Sequence, residues 1–180
     1  MINKCFYYKN NQDEKELLVS LINYLLIKME EKRKLGLVFA SGAANRICCI
    51  AIYGGAALAS GWEVKLHLVN EGVVAFKKDV LPKLNSLDMG MTIRPDFYLP
   101  YTEQYLKNVE SAVKNGQLKD WYSFLKQLKT DYPNDFKIYA CPVASAFYNI
   151  KKEDLVEIVD EIKGAESFLE EIYGGVVMYI

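Results

Sequence analysis

The stretch with the clearest chemical potential is "DFKIYACPVASAFYNI", Asp135 to Ile150, where an alternating apolar run stops at Cys141 and Pro142 follows at once. Cysteine chemistry runs through the thiolate, so what matters is what surrounds that sulfur. Proline suits the first position of a helix, because its missing N–H would be unpaired there in any case. Cys141 is therefore expected at a helix N-cap, with the N–H groups of Val143 and Ala144 turned back toward its sulfur and the positive end of a short helix beside it. A carboxylate from Glu71 nearby would act in the opposite direction. A free cysteine also packs well as a small apolar residue, and position alone leaves both readings open.

The other titratable residues offer less. Cys48 and Cys49 lie inside an apolar stretch and read as core, with no polar neighbour in sequence to stabilise a thiolate. Cys49 is the one thiol with a prospect of reaching Cys141 as a resolving partner in a redox reaction. Cys5 sits in an amino-terminal arm with no assigned role. Four cysteines, two of them adjacent, with no CxxC pair and a single histidine, His67, argue against a disulfide framework and against a metal site. His67 stands alone on a strand and reads as a satisfied structural histidine. The segment "SGAAN", Ser41 to Asn45, could turn backbone N–H groups toward an anion. It has neither GxGxxG nor GxxxxGK, so no nucleotide is implied and no cofactor is expected.

The elements that must position these residues follow from periodicity. Leu17, Leu18, Leu21, Ile22, Leu25, Leu26 and Met29 recur at helical spacing, with acids before them and Lys/Arg after. Residues 1–34 are expected to form an arm and a helix that packs on the domain or on a neighbouring subunit, and residues 35–180 the domain itself. "LGLVFASG" reads as a buried strand, and Asn45–Ser60 as a helix apolar on every side, with Gly54-Gly55 implying a closely packed backbone. "EVKLHL" alternates strictly, placing Val64, Leu66 and Leu68 on one face and Lys65, His67 and Val69 on the other, before an Asn70-Glu71-Gly72 turn. "VVAFKKDVLPKL" suggests a short helix broken before Pro82, and 85–100 a lid or subunit contact.

Two helices come next, one capped by Thr102 and ending at Gly116, the other carrying Trp121, Phe124, Leu125 and Leu128 on one face. "FKIYA" is a third strand; a short helix, a short strand, a last helix and a final strand in "GGVVMYI" complete the chain. Strands alternating with helices predict a three-layer α/β fold: a mainly parallel sheet with helices on both faces, preceded by the amino-terminal helix. Reactive groups in such sheets gather at the carboxyl ends of the strands, which here carry Ser41-Gly42, Glu71-Gly72 and Cys141.

Composition removes several function classes. Among 180 residues, 51% apolar content suffices for one packed core, while 22 basic and 23 acidic residues include no basic block. Only Arg33, Arg46 and Arg94 are arginines, so nucleic-acid binding is not expected. The most lipid-like stretch, Ile47 to Trp62, falls short of the roughly 20 residues a spanning helix needs, and no signal-peptide core precedes the first charges. No membrane insertion and a cytoplasmic location are expected.

With these residues in view, "LGLVFASGAANRICCIAIYGGAALASGWEVKLHLVNEGV" resembles the opening of the DsrE/DsrF-like proteins. "KIYACPVASAFYNIKKEDLVEIVDEIKGAESFLEEI" resembles that family's second half more specifically, through the strand ending in "AC", the short helix, the "IKKEDL" segment and the Gly-Ala before the last helix. The likeness runs from Leu35 to Ile172 and is weakest between Leu81 and Asp131. It implies a flavodoxin-like fold that assembles as trimers or hexamers, and a role in intracellular sulfur relay. In that relay the strand-end cysteine, here Cys141, carries sulfur as a persulfide or thiosulfonate. It exchanges the sulfur with a small TusA-like carrier or another thiol protein. The pocket would then comprise Pro142, Val143 and Ala144 with the Ser41-Gly42 and Glu71-Gly72 loops. The competing expectation is a non-catalytic ligand-binding or assembly subunit of the same fold with Cys141 packed.

Overall fold

Short apolar runs bounded by small polar residues become strands here, and their order sets the architecture. The computed structural model describes residues 15–23, 32–84 and 99–180, which divide into one unit within Met1–Lys32 and a second, Arg33–Ile180. In the first unit, residues 15–23 are helical, as the leucine stripe requires. Leu25, Leu26, Met29, Cys5 and Arg94 lie outside the described residues, as does the expected lid at 85–100 except for Leu99 and Pro100, which are helical.

The second unit is an α/β domain. Its strands are β1 (Lys34–Phe39), β2 (Glu63–Leu68), β3 (Phe136–Ala140), β4 (Glu161–Ile162) and β5 (Val176–Tyr179). They form a five-stranded, all-parallel sheet in the order β4-β3-β2-β1-β5. From β1 to β4 each strand is added on the same side of its predecessor. β5 returns to the far side of β1.

Helices fill the crossovers. Between β1 and β2 the chain is helical from Ile47 to Ala59, as α1 (Ile47–Cys49), a π-helical turn (Ile50–Gly54) and α2 (Gly55–Ala59). Between β2 and β3 lie α3 (Glu71–Ala75), a 3₁₀ turn (Leu81–Lys83), α4 (Leu99–Lys114) and α5 (Trp121–Asp131). Then α6 (Pro142–Phe147) precedes β4, and α7 (Ala165–Ile172) precedes β5.

One face of the sheet presents Leu35, Leu37, Phe39, Val64, Leu66, Leu68, Phe136 and Ile138, all buried in the main core with Ile47, Ile50, Leu58, Leu125 and Leu128. Gly54 and Gly55 lie between layers of that core. A methyl group at Gly54 would sit 3.5 Å from Leu37, and one at Gly55 would sit 3.7 Å from Phe124. Those are ordinary contacts with side chains, so no second backbone presses on the glycine pair as the sequence suggested. Ile52 and Tyr53, on the outer side of the same helix, stay exposed.

The opposite face is covered by α7. Gly36 is small because Phe168 and Ile172 come within 3.0 and 3.1 Å of where its Cβ would stand. Lys65 and His67 are only 8% and 3% exposed on this face. Lys65 meets Glu63 at 3.5 Å and Glu171 at 3.9 Å, Tyr139 donates its hydroxyl to Glu171 at 2.7 Å, and Lys163 reaches Glu171 at 2.6 Å. His67 stacks on Phe168 with ring centroids 5.0 Å apart, and its Nε2 lies 3.2 Å from the Lys163 carbonyl oxygen. This is a packed structural setting for a lone histidine.

Two boundaries differ from the periodicity. The Asn70-Glu71-Gly72 turn runs directly into α3: Asn70 adopts φ 46°, ψ −131°, and the Gly72 N–H bonds the Val69 carbonyl at 2.8 Å. Helix α4 starts upstream of Thr102, which is buried inside it and does not cap it. Asp120 caps α5 through the Ser123 N–H, at 2.9 Å. Among the described residues no helix is long and apolar enough to cross a membrane.

Burial holds the His67 imidazole below its ordinary pKa of 6.5, against the smaller pull of the Lys163 carbonyl. Below that value the unfolded chain binds a proton that the folded chain resists, so stability falls on acidification. A His67→Phe variant should show a flatter dependence of its urea midpoint between roughly pH 7 and roughly pH 5 than the parent. Gly72→Ala would place a methyl group 2.1 Å from the Phe39 carbonyl oxygen. It should cost at least about 2 kcal/mol in a urea titration, since a backbone atom cannot step aside.

Candidate functional site

Phe39, Leu68 and Ala140 are paired in register across β1, β2 and β3, so three neighbouring strands end at one level. The loops that follow them share one edge, spaced at about 4.8 Å per strand. Cys141 extends β3 by one bond, donating its N–H to the Leu68 carbonyl at 2.9 Å. Its backbone is extended at φ −64°, ψ 126°, and Pro142 occupies the first turn of α6, so Cys141 is the N-cap that the Cys-Pro sequence implies. Its carbonyl accepts the Ser145 N–H at 2.9 Å.

The thiol of Cys141 is free and half-buried at the margin of the main core. The sulfur accepts no capping bond from α6, so the expected contacts with the Val143 and Ala144 amides are not made in this conformation. Ala144 and Ser145 face inward, and the Ser145 hydroxyl is buried without a partner among the described residues. Pro142 is exposed, as are Val143 (59%) and Phe147 (83%), one helical turn apart. The short helix that Cys141 caps therefore carries exposed apolar side chains. Tyr148, capping the far end of α6, donates its hydroxyl to Glu71 at 3.1 Å and ties the helix to the turn after β2.

The two glycine loops are locked together through their backbones. Gly42 has φ +60°, and a methyl group there would stand 2.5 Å from the Glu71 carbonyl oxygen. The Ser41 hydroxyl accepts the Ala43 N–H at 3.4 Å. Ser41 and Glu71 then form part of the wall of a cleft of about 820 Å³, with Asn45, Arg46, Tyr105 and Tyr179. Cys141, Pro142, Val143 and Ala144 are not on that wall. The residues that the sequence places in one pocket thus fall into two neighbouring places, a thiol at the end of β3 and a cleft at the ends of β1 and β5. Glu71 touches both.

Cys49 belongs to neither. Its sulfur lies 4.0 Å from that of Cys48, and Cys48 donates to the Asn45 carbonyl at 3.6 Å. Burial pushes the Cys49 thiol up, the neighbouring Cys48 adds to this, and Arg46 opposes it. Tyr105, from α4, is pushed well above the ordinary phenol range by burial and then by its hydrogen bond with Cys48. Among the described residues no contact joins Cys49 to Cys141, so the pairing needed for a resolving thiol is not formed. Nor does any group of three His, Cys, Asp or Glu among them gather to hold a metal ion.

Comparison with known proteins adds little about chemistry. No protein-family model matches this chain. Over 95 residues it is 28% identical to a protein from Lachnospiraceae bacterium (strain RUG226) named c-di-GMP synthase, a match covering 53% of this chain and 26% of that protein. The chain thus spans about a quarter of that relative's length. The solved structure of a protein of unknown function from Methanobacterium thermoautotrophicum is similar in fold, with a TM-score of 0.50 and 10% identity over 83% of this chain and 100% of the other.

A raised thiol pKa means less thiolate at neutral pH, so Cys49 should react slowly with iodoacetamide in the native protein. Peptide mapping after timed alkylation near pH 8 should show Cys49 lagging behind an unstructured cysteine peptide, and catching up once the protein is unfolded in urea.

Proposed function

We propose that this protein is a cytoplasmic sulfur carrier of sulfurtransferase type that accepts sulfane sulfur or thiosulfonate on Cys141 and passes it to a thiol partner. One observation carries the reading: Cys141 is a free, half-buried thiol at the carboxyl end of an interior parallel strand and at the N-cap of the following helix. Parallel α/β sheets present reactive groups at that edge. The resemblance of the surrounding motifs to DsrE/DsrF-like proteins points the same way.

The chemistry needs no cofactor. The Cys141 thiolate attacks a sulfane sulfur of a polysulfide, forms one S–S bond as another breaks, and leaves a persulfide and a shortened polysulfide. With tetrathionate the same attack gives a protein-bound thiosulfonate and releases thiosulfate. A partner thiolate then attacks the sulfane sulfur bonded to the Cys141 Sγ and takes it, with any sulfonate it carries, as the S–S bond to Cys141 breaks and Cys141 returns to the thiolate. Val143 and Phe147 are exposed apolar residues on the helix that Cys141 caps, a surface suited to docking a small carrier protein of TusA type. Assembly of copies into a trimer or hexamer belongs to the same reading and would cover Ile52 and Tyr53.

A second reading, a ligand-binding or assembly subunit with Cys141 merely packed, is favoured by two observations. The sulfur receives no capping hydrogen bond, and the large cleft lies apart from it.

Intact-mass spectrometry of reduced protein after incubation with polysulfide, and separately with tetrathionate, separates the two. The sulfur-carrier reading expects one adduct per chain that is absent from Cys141→Ser. An adduct that persists in that variant rules the reading out. No adduct, together with slow alkylation of Cys141 in the native protein, supports the packed-cysteine alternative.

A further inference from the structure

The cleft beside β1 and β5 takes no part in the thiol chemistry, yet its wall carries a consistent set of groups. Strand order reverses at this point, since β2, β3 and β4 extend from one side of β1 and β5 from the other. Ligands of open α/β sheets bind outside the carboxyl ends of the strands at such a reversal. The volume of about 820 Å³ lies within the range of small-molecule sites, roughly 300–1,000 Å³.

Three tyrosines reach the cleft from two separate elements: Tyr101 and Tyr105, one turn apart on α4, and Tyr179 at the end of β5. Tyr101 and Tyr179 are each 73% exposed and make no ring–ring contact among the described residues, so their faces remain available for stacking. Arg46 lies at the start of the 47–59 helix, exposed to solvent and without a carboxylate partner among the described residues. The N–H groups of Ser41 and Asn45, on the same wall, likewise meet no acceptor there. Asn70, also on the wall, keeps the left-handed φ of 46° that a residue with a side chain seldom adopts. Glu71 supplies a carboxylate that already accepts the Tyr148 hydroxyl.

We propose that this cleft binds a small anion carrying a planar ring, of the nucleoside-monophosphate class. The ring stacks on the tyrosines. The anionic group takes the Arg46 guanidinium and the Ser41 and Asn45 N–H groups. Glu71 accepts from a hydroxyl or amino group of the ligand. The site does not include Cys141, so it stands or falls separately from the sulfur-carrier reading.

Equilibrium dialysis of the full chain against AMP, GMP, CMP and UMP, with inorganic phosphate as the ringless control, tests the assignment. Saturable binding of at least one nucleotide is expected, weakened ten-fold or more in Arg46→Ala and in Tyr101→Ala, and unchanged in Cys141→Ser. Both Arg46 and Tyr101 are exposed, and an unchanged urea midpoint in each variant would show that folding is intact. Failure of all four nucleotides to bind at millimolar concentration overturns the proposal. So does undiminished binding in both variants, or phosphate alone binding as tightly as any nucleotide.

Discussion

The carboxyl edge of the sheet depends on a backbone-to-backbone contact between the chain leaving β1 and the chain leaving β2. The Val69 N–H donates to the Phe39 carbonyl at 2.9 Å, and Gly72 sits so close to that same oxygen that a Cβ would fall 2.1 Å from it. From the other side, Gly42 rests against the Glu71 carbonyl. Glycine is required at both positions because the room is taken by main-chain atoms, which do not move as a side chain would. The turn is so tight that Asn70 takes a conformation usually left to glycine. In exchange, the loop after β1, the start of α3 and the end of β2 become one rigid piece. Cys141 is bonded to that piece through Leu68, and Ser41 and Glu71 grow out of it. Both the thiol and the cleft inherit their positions from it.

The second organising feature is the polar face beneath α7. A buried lysine is tolerable only when paired, and Lys65 meets Glu63 and Glu171. Glu171 is shared with Tyr139 and Lys163, and the Lys163 ammonium also stands 4.2 Å from the centroid of the Tyr139 ring. Removing one member of such a network would strand the others in a poorly solvated place, so its value lies in fixing α7 against the sheet more than in net stability. That placement matters for the edge, because α7 delivers the chain into β5. β5 in turn brings Tyr179 and Ile180 to the wall of the cleft.

Much of this was legible in the sequence, for reasons that can be traced to particular residues. "FKIYA" reads as a strand and forms Phe136–Ala140. The Cys-Pro junction reads as an N-cap and is one. The alternation in "EVKLHL" assigned the correct residues to each face. It could not say that Lys65 and His67 are buried, because that depends on α7 crossing over them from about a hundred residues away in sequence. Periodicity gives strands, not their lateral order, so the return of β5 to the side of β1 was invisible, and the cleft with it. Tyr101, Tyr105 and Tyr179 carry no local motif; only the fold brings them to Arg46. The same limit explains Cys49. Its place on an apolar helix was clear, but whether it pointed to Cys141 or to Cys48 depended on the helix phase, and the adjacent sulfur is where it went.

The separation of thiol and cleft constrains how the protein can work. Their visible side-chain link is the hydrogen bond from Tyr148, at the end of α6, to Glu71, on the wall of the cleft. Tyr148 is exposed, so water competes for both partners and little is lost when the bond opens. A ligand that drew Glu71 into the cleft could therefore free the end of α6. It could not by that route move Cys141, which is held through its own N–H to Leu68 and its carbonyl to Ser145. Reactivity at Cys141 must then be set locally, by its own half-buried position and by what approaches from solvent. Occupancy of the cleft can alter the surface a partner meets far more readily than it can alter the thiol itself.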